Sequence, residues 1–145
     1  METKKVSRGD RNCNPLNLIK SNNAWIGKIE SDDSRFEKFL THYLGYRAAY
    51  ICLKKHYSSG CNTLSSLIAK WAPETENKTS EYIHFVSKFS GIYPSEIFAW
   101  NYNNVLNIMK SMSIYENGYC PNEKALKEAL SNYCIGRYSS LYIVK

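Results

Sequence analysis

The stretch 41–73, THYLGYRAAYICLKKHYSSGCNTLSSLIAKWAP, decides the fold class. Leu44, Ala48, Ile51 and Cys52 recur at three- and four-residue spacing, which is the period of one helix face. Thr41 stands where an N-cap belongs, with a hydroxyl able to take a free first-turn N–H. This helix is expected to end near Tyr57 and Gly60. Leu64, Leu67, Ile68 and Trp71 follow at i, i+3, i+4 and i+7, behind Asn62 or Thr63 as the cap. Pro73 stops that helix, because proline has no N–H to donate.

The same periodicity continues downstream. A third helix is expected over about Thr79–Ser90, with Tyr82, Ile83, Val86 and Phe89 inward and Gly91 as its stop. After Pro94, one helical turn is expected around Glu96–Ala99. A fourth helix over roughly Asn103–Glu116 turns Val105, Ile108, Met109 and Met112 inward, and Asn117-Gly118 ends it. A fifth begins near Asn122 and carries Leu126, Ala129, Leu130 and Tyr133, and Leu141–Val144 reads as a short strand. Upstream the period changes. Residues 25–29 and 35–39 alternate apolar and polar, so two small strands are expected, joined by the turn Glu30–Ser34. Residues 1–11 are polar and basic and read as a flexible arm. The expected fold is mainly α (α+β): a single helical domain over 12–145 with a small N-terminal β lobe.

At 145 residues the chain can bury a real core. Its net charge of +6 is scattered, with no run of five or six basic residues. That favours anionic partners in general but gives no nucleic-acid stripe, so no nucleic-acid partner is expected. Twelve tyrosines suit sugar clefts and plain packing alike. Five cysteines form no CxxC pair, which argues against zinc, and their odd number leaves one thiol unpaired within a monomer. Cys52 falls in an apolar helical pattern and is expected to be a buried thiol. Spacing leaves Cys120 with Cys134, or Cys13 with Cys61, open as bridges. No cofactor motif occurs, and no metal or cofactor is expected. The start METKKVSRGDR lacks the apolar segment of a signal peptide, and no apolar run approaches the roughly 18 residues of a membrane span. The chain is therefore expected to be made in the cytoplasm, without membrane insertion, and to need a delivery route if it acts outside.

Two blocks carry a resemblance. One is RGDRNCNPLNLI, residues 8–19, with Trp25-Ile26-Gly27. The other is Gly45-Tyr46-Arg47-Ala48, then Trp71-Ala72-Pro73, Glu76-Asn77-Lys78-Thr79 and Tyr82-Ile83. In that order they resemble a family of small phage-associated and Bacteroides-type proteins, over roughly residues 8–92. The first block also resembles the Asn-rich loop of bacterial glucosaminidases with a lysozyme-like fold. The resemblance implies a lysozyme-like domain that cuts peptidoglycan glycan strands, as a muramidase, glucosaminidase or lytic transglycosylase, in a phage lytic enzyme or a secreted antibacterial effector. In those enzymes a catalytic Glu closes the helix just before the Asn-rich loop. Here only Glu2 precedes Arg8, so an acid must come from elsewhere, as in a rearranged or permuted core. Many members of the nearer family carry Glu two residues before the Gly of the G-x-R-A motif, and here that residue is Tyr43.

Glycosidic cleavage needs a protonated carboxyl beside the leaving oxygen. Glu76, just after the Trp71-Ala72-Pro73 stop, is the leading candidate, although acids at helix starts also serve the helix dipole. Glu30 and Asp32 on the β turn are candidates for a second carboxylate, and equally for a solvated turn. Asn12, Asn14 and Asn17 can bind N-acetyl groups or brace the Pro15 turn. Arg11 can meet stem carboxylates. Trp25, Tyr46, Trp71, Asn77 and Tyr82 are candidates for shaping the sugar cleft. Arg47, if buried, needs a partner, and Glu76 is the expected one. A different class is a non-catalytic virion or wall-binding protein. A lesser alternative is a Cys/His amidase drawing on Cys13, Cys52 or Cys61 with His42, His56 or His84. The partners expected are peptidoglycan and, for a secreted effector, a cognate immunity protein.

Overall fold

Short polar side chains set the helix starts. The computed structural model describes residues 5–73 and 75–136, with the side chains of Glu76 and Asn77 outside that description. Helix α1 spans Arg8–Arg11, α2 His42–Ser58, α3 Leu64–Trp71, α4 Glu76–Ser90, α5 Tyr102–Asn117 and α6 Glu123–Leu130. Their N-caps are Ser7, Thr41, Thr63, Thr75, Asn101 and Asn122, and each side chain accepts a first-turn backbone N–H. Thr63 does so within a capping box with Ser66. Gly91 and Gly118 end α4 and α5 in the left-handed region. α6 widens into a π-helical turn over Ser131–Ile135.

Helix α2 runs through the core. Tyr46, Ala48, Ala49, Tyr50 and Leu53 on it are buried, against Leu64, Leu67 and Ile68 of α3 and Leu126, Ala129 and Leu130 of α6. Val105, Ile108, Met109 and Met112 of α5 fill the remaining side. Large buried side chains of this kind contribute about 1.5–3 kcal/mol each. Small residues let backbones meet: a Cβ at Gly45 would lie 1.9 Å from the Cys13 carbonyl oxygen. Contact between α2 and the Asn-rich loop therefore requires glycine there.

Two strands, β1 (Lys28–Ile29) and β2 (Lys38–Phe39), pair antiparallel, with Lys28 opposite Phe39 and Ile29 opposite Lys38. An isolated bridge joins Ile19 to Phe36. Asn14, fully buried, stitches the preceding loop to this lobe. Its amide donates to the Leu18 and Glu37 carbonyls at 3.0 and 2.9 Å, and its oxygen accepts from Leu18 N–H at 2.9 Å. Asp33 ties the lobe to α1: Arg8 reaches it with two bonds of 2.7 Å. The result is a mainly α fold with a small two-stranded sheet near its N-terminus, as expected.

Several expectations change. Residues 8–11 are not a loose arm but a capped turn of helix, because Ser7 bonds both Asp10 N–H and Asn117. α4 starts at Glu76 rather than Thr79, since Thr75 is the cap. No helical turn forms at Glu96–Ala99; Ile97 instead bridges to Thr63. Phe89 is 57% exposed rather than inward, stacked on Phe85 at 4.6 Å. All five cysteines are free thiols, so neither bridge forms. Burial raises the Cys52 thiol to about 11. The strand expected at Leu141–Val144 lies outside the described residues.

Candidate functional site

The last turn of α5 and the Asn-rich loop build one corner. Asn117 donates to the Pro15 carbonyl at 2.7 Å and to Ser113 at 2.8 Å, which fixes the helix end against the loop. Asn17, held at φ 54°, donates its amide to Glu116 Oε1 at 2.9 Å. Asparagine tolerates this left-handed conformation better than most residues. Gly9 keeps the corner tight, because a Cβ there would lie 2.5 Å from the Asn117 oxygen and 3.0 Å from that of Asn17.

Glu116 opens onto a cleft of about 240 Å³ whose walls include Asn17, Arg35, Phe36, Trp71 and Pro73. Two guanidinium groups lie over the Phe36 ring, Arg8 at 4.6 Å and Arg35 at 5.2 Å from its centre. Tyr82 stacks on Tyr115 with ring centres 4.1 Å apart. Burial, and then the charge of Glu116, hold the Tyr82 phenol well above its ordinary range. The cleft thus joins a carboxyl group to flat apolar faces and to an amide. Those are the parts needed to seat a sugar ring and protonate a glycosidic oxygen.

A second cavity, of about 480 Å³, lies between α2 and α6 and is lined by Cys13, Thr41, His42, Tyr43, Lys124 and Glu128 among others. His42 Nε2 meets Asp10 at 2.7 Å, and the Tyr119 hydroxyl donates to the other Asp10 oxygen at 2.6 Å. Thiol, imidazole and carboxylate are thus near neighbours. The thiol is poised the wrong way for a nucleophile, however: burial, and then Asp10, raise its pKa, whereas reactive cysteines sit where it is lowered. Tyr43 uses its hydroxyl to accept from Asn132 at 2.8 Å.

The residues singled out from the sequence divide. Asn17 and Trp71 line the first cleft, whereas Tyr82 lies in the core and does not line it. Asn12 and Asn14 are buried and hold the loop together, so neither presents its amide to a ligand. Asn12 donates instead to Asp33 at 3.1 Å. Trp25 and Tyr46 are core residues, and Tyr46 bonds Ser113 and the Pro121 carbonyl. Arg47 is buried; its Nε donates to Tyr133 at 2.8 Å, and its guanidinium lies 5.3 Å from that ring. Glu30, Asp32 and Arg11 are exposed and line neither cavity. Glu76 and Asn77 open α4, and their side chains lie outside the described residues. Among the described residues no cluster of three or more His, Cys, Asp or Glu could hold a metal, and no helix is long and apolar enough to cross a membrane.

Protein P5 of Pseudoalteromonas phage PM2 is 36% identical to this chain over an alignment of 124 residues, and the match covers 81% of this chain and 78% of P5. The chain belongs to the family of Protein P5. No family model matches it. Kinship with a phage P5 protein agrees with the phage-associated resemblance of the Asn-rich and Trp-Ala-Pro blocks.

Glu116 escaped sequence reasoning. Its signal was present, as a glutamate closing a periodic helix just before an Asn-Gly stop. The resemblance, however, points to an acid that precedes the Asn-rich loop in the chain. Glu116 instead follows the loop by about a hundred residues and reaches it only in space.

Proposed function

We propose that this P5-family protein cleaves the glycan strands of peptidoglycan, with Glu116 as the acid–base group. The bond between Asn17 and Glu116, both in the wall of the aromatic-lined cleft, carries this reading. That bond joins a helix-closing glutamate to the Asn-rich loop, the two parts that adjoin in the glucosaminidases the chain resembles, but with the chain order reversed. The reading is therefore a permuted lysozyme-like core. Glu116 donates its proton to the glycosidic oxygen as that bond breaks, and the carboxylate then takes a proton from the group attacking the anomeric carbon. Water as that group gives a reducing end, and the sugar's own 6-hydroxyl gives an anhydro end. Trp71 and Phe36 offer faces to sugar rings.

Glu76 stays a rival acid, because it opens the helix that follows the Trp71–Pro73 wall. Glu30 and Asp32 fit the role of solvated turn residues better than that of a second acid. Kinship with a phage protein supports a lytic or virion role ahead of a secreted effector with an immunity partner. The test is digestion of purified sacculi with the products read by mass. Reducing or anhydro disaccharide ends support glycan cleavage. Free stem peptides would move the activity to an amidase, and binding without release would favour the non-catalytic virion protein.

A further inference from the structure

Tyr82 carries one polar atom with no evident structural use. Its side chain is 4% exposed, and its hydroxyl is buried with no hydrogen bond formed. A buried hydroxyl left this way costs stability unless something else retains it. The ring cannot turn freely, because Tyr115 is stacked against it at 4.1 Å and Val86, one turn on in α4, is fully buried. The ring it stacks on, Tyr115, directly precedes Glu116, whose ionised form acts on the phenol. Burial and that charge both keep the phenol protonated, so it can only donate toward the carboxyl. Glu116 Oε1 also accepts from the Asn17 amide at 2.9 Å.

We infer that Tyr82 is a positioning residue for Glu116, supplying from the core side an O–H that the carboxylate takes up when it gives away its proton. This rests on the reading of Glu116 as the acid–base group. Before proton transfer the phenol is under-bonded. Afterwards the charged carboxylate accepts from both Asn17 and Tyr82, so the interaction strengthens along the reaction rather than in the resting state. No covalent step is involved; the proton lost by Glu116 goes to the leaving oxygen, and the phenol keeps its own.

The test is Tyr82→Phe in the full chain, which removes one oxygen and keeps the ring stack. The hydroxyl is unpaired at rest, so the melting temperature is expected to stay level or rise. The rate on sacculi is expected to fall about tenfold in kcat with KM unchanged. The branch of the pH profile that is lost as pH rises through the acid's pKa should move to higher pH, because a donor to the ionised form has gone. Carbon-13 NMR of the Glu116 carboxyl gives a readout independent of turnover: its midpoint is expected to rise by about one pH unit in Tyr82→Phe. An unchanged midpoint overturns the positioning role even if the enzyme is active. A shifted midpoint in a protein that releases nothing from sacculi keeps the Tyr82–Glu116 coupling and sinks the glycosidase reading instead.

Discussion

At the scale of single residues, the asparagines of the first block illustrate how one residue type serves opposite ends. The sequence leaves all three open between sugar binding and loop bracing. Burial decides for Asn14, whose amide makes three bonds in a dry interior, and for Asn12. Only Asn17 reaches the cleft, by adopting a left-handed backbone. Asn14→Ala should strand the Leu18 N–H and two carbonyls, and urea titration is expected to read a loss of about 3 kcal/mol. A loss within 0.5 kcal/mol, taken as an approximate bound for ordinary surface sites, would mean the loop does not depend on it. No alternation or spacing rule separates Asn14 from Asn17, since both lie in the same Asn-rich turn. The distinction comes from what packs over the turn, and that is set by residues far along the chain such as Asn117.

At the scale of elements, the helices were legible because caps and periodic apolar faces are local. Thr41, Thr63 and Gly91 did what their chemistry dictates. The exceptions have tertiary causes. The turn expected after Pro94 yields to the Ile97–Thr63 bridge, and residues 8–11 become helical because Ser7 and Asn117 give them a place to dock. Gly45→Ala tests the closest of these approaches. Its new methyl would collide with the Cys13 carbonyl, so stability is expected to drop by more than about 3 kcal/mol, or soluble protein to be lost. The clasp between α1 and the β lobe has a pH signature. Arg8 first, then backbone N–H groups of Arg35 and Phe36 and the Asn12 amide, hold the Asp33 carboxyl far below its ordinary range. The folded state binds that proton more weakly than the unfolded chain. Its stabilisation is therefore complete above the unfolded pKa of about 3.9 and is lost as pH falls below it. Asp33→Asn should flatten the stability curve below about pH 4, and an unchanged acid slope would exclude Asp33 as its source.

At the scale of the molecule, the site is a meeting of distant segments. The Asn-rich loop, the β lobe, the end of α3 and the end of α5 each give one wall. The sequence made the loop and the Trp-Ala-Pro stop conspicuous, but not Glu116, because chain order hid a neighbour that only folding brings near. Glu116 is proposed to perform the chemistry. The most direct measurement is mass-resolved release of glycan fragments from sacculi by the wild-type protein, Glu116→Gln and Glu76→Gln, each first shown to be folded. Glu116→Gln is expected to lose about 10²–10⁴-fold in rate while Glu76→Gln retains most of it. Full release by Glu116→Gln, with loss in Glu76→Gln, would assign the acid to Glu76 and exclude Glu116.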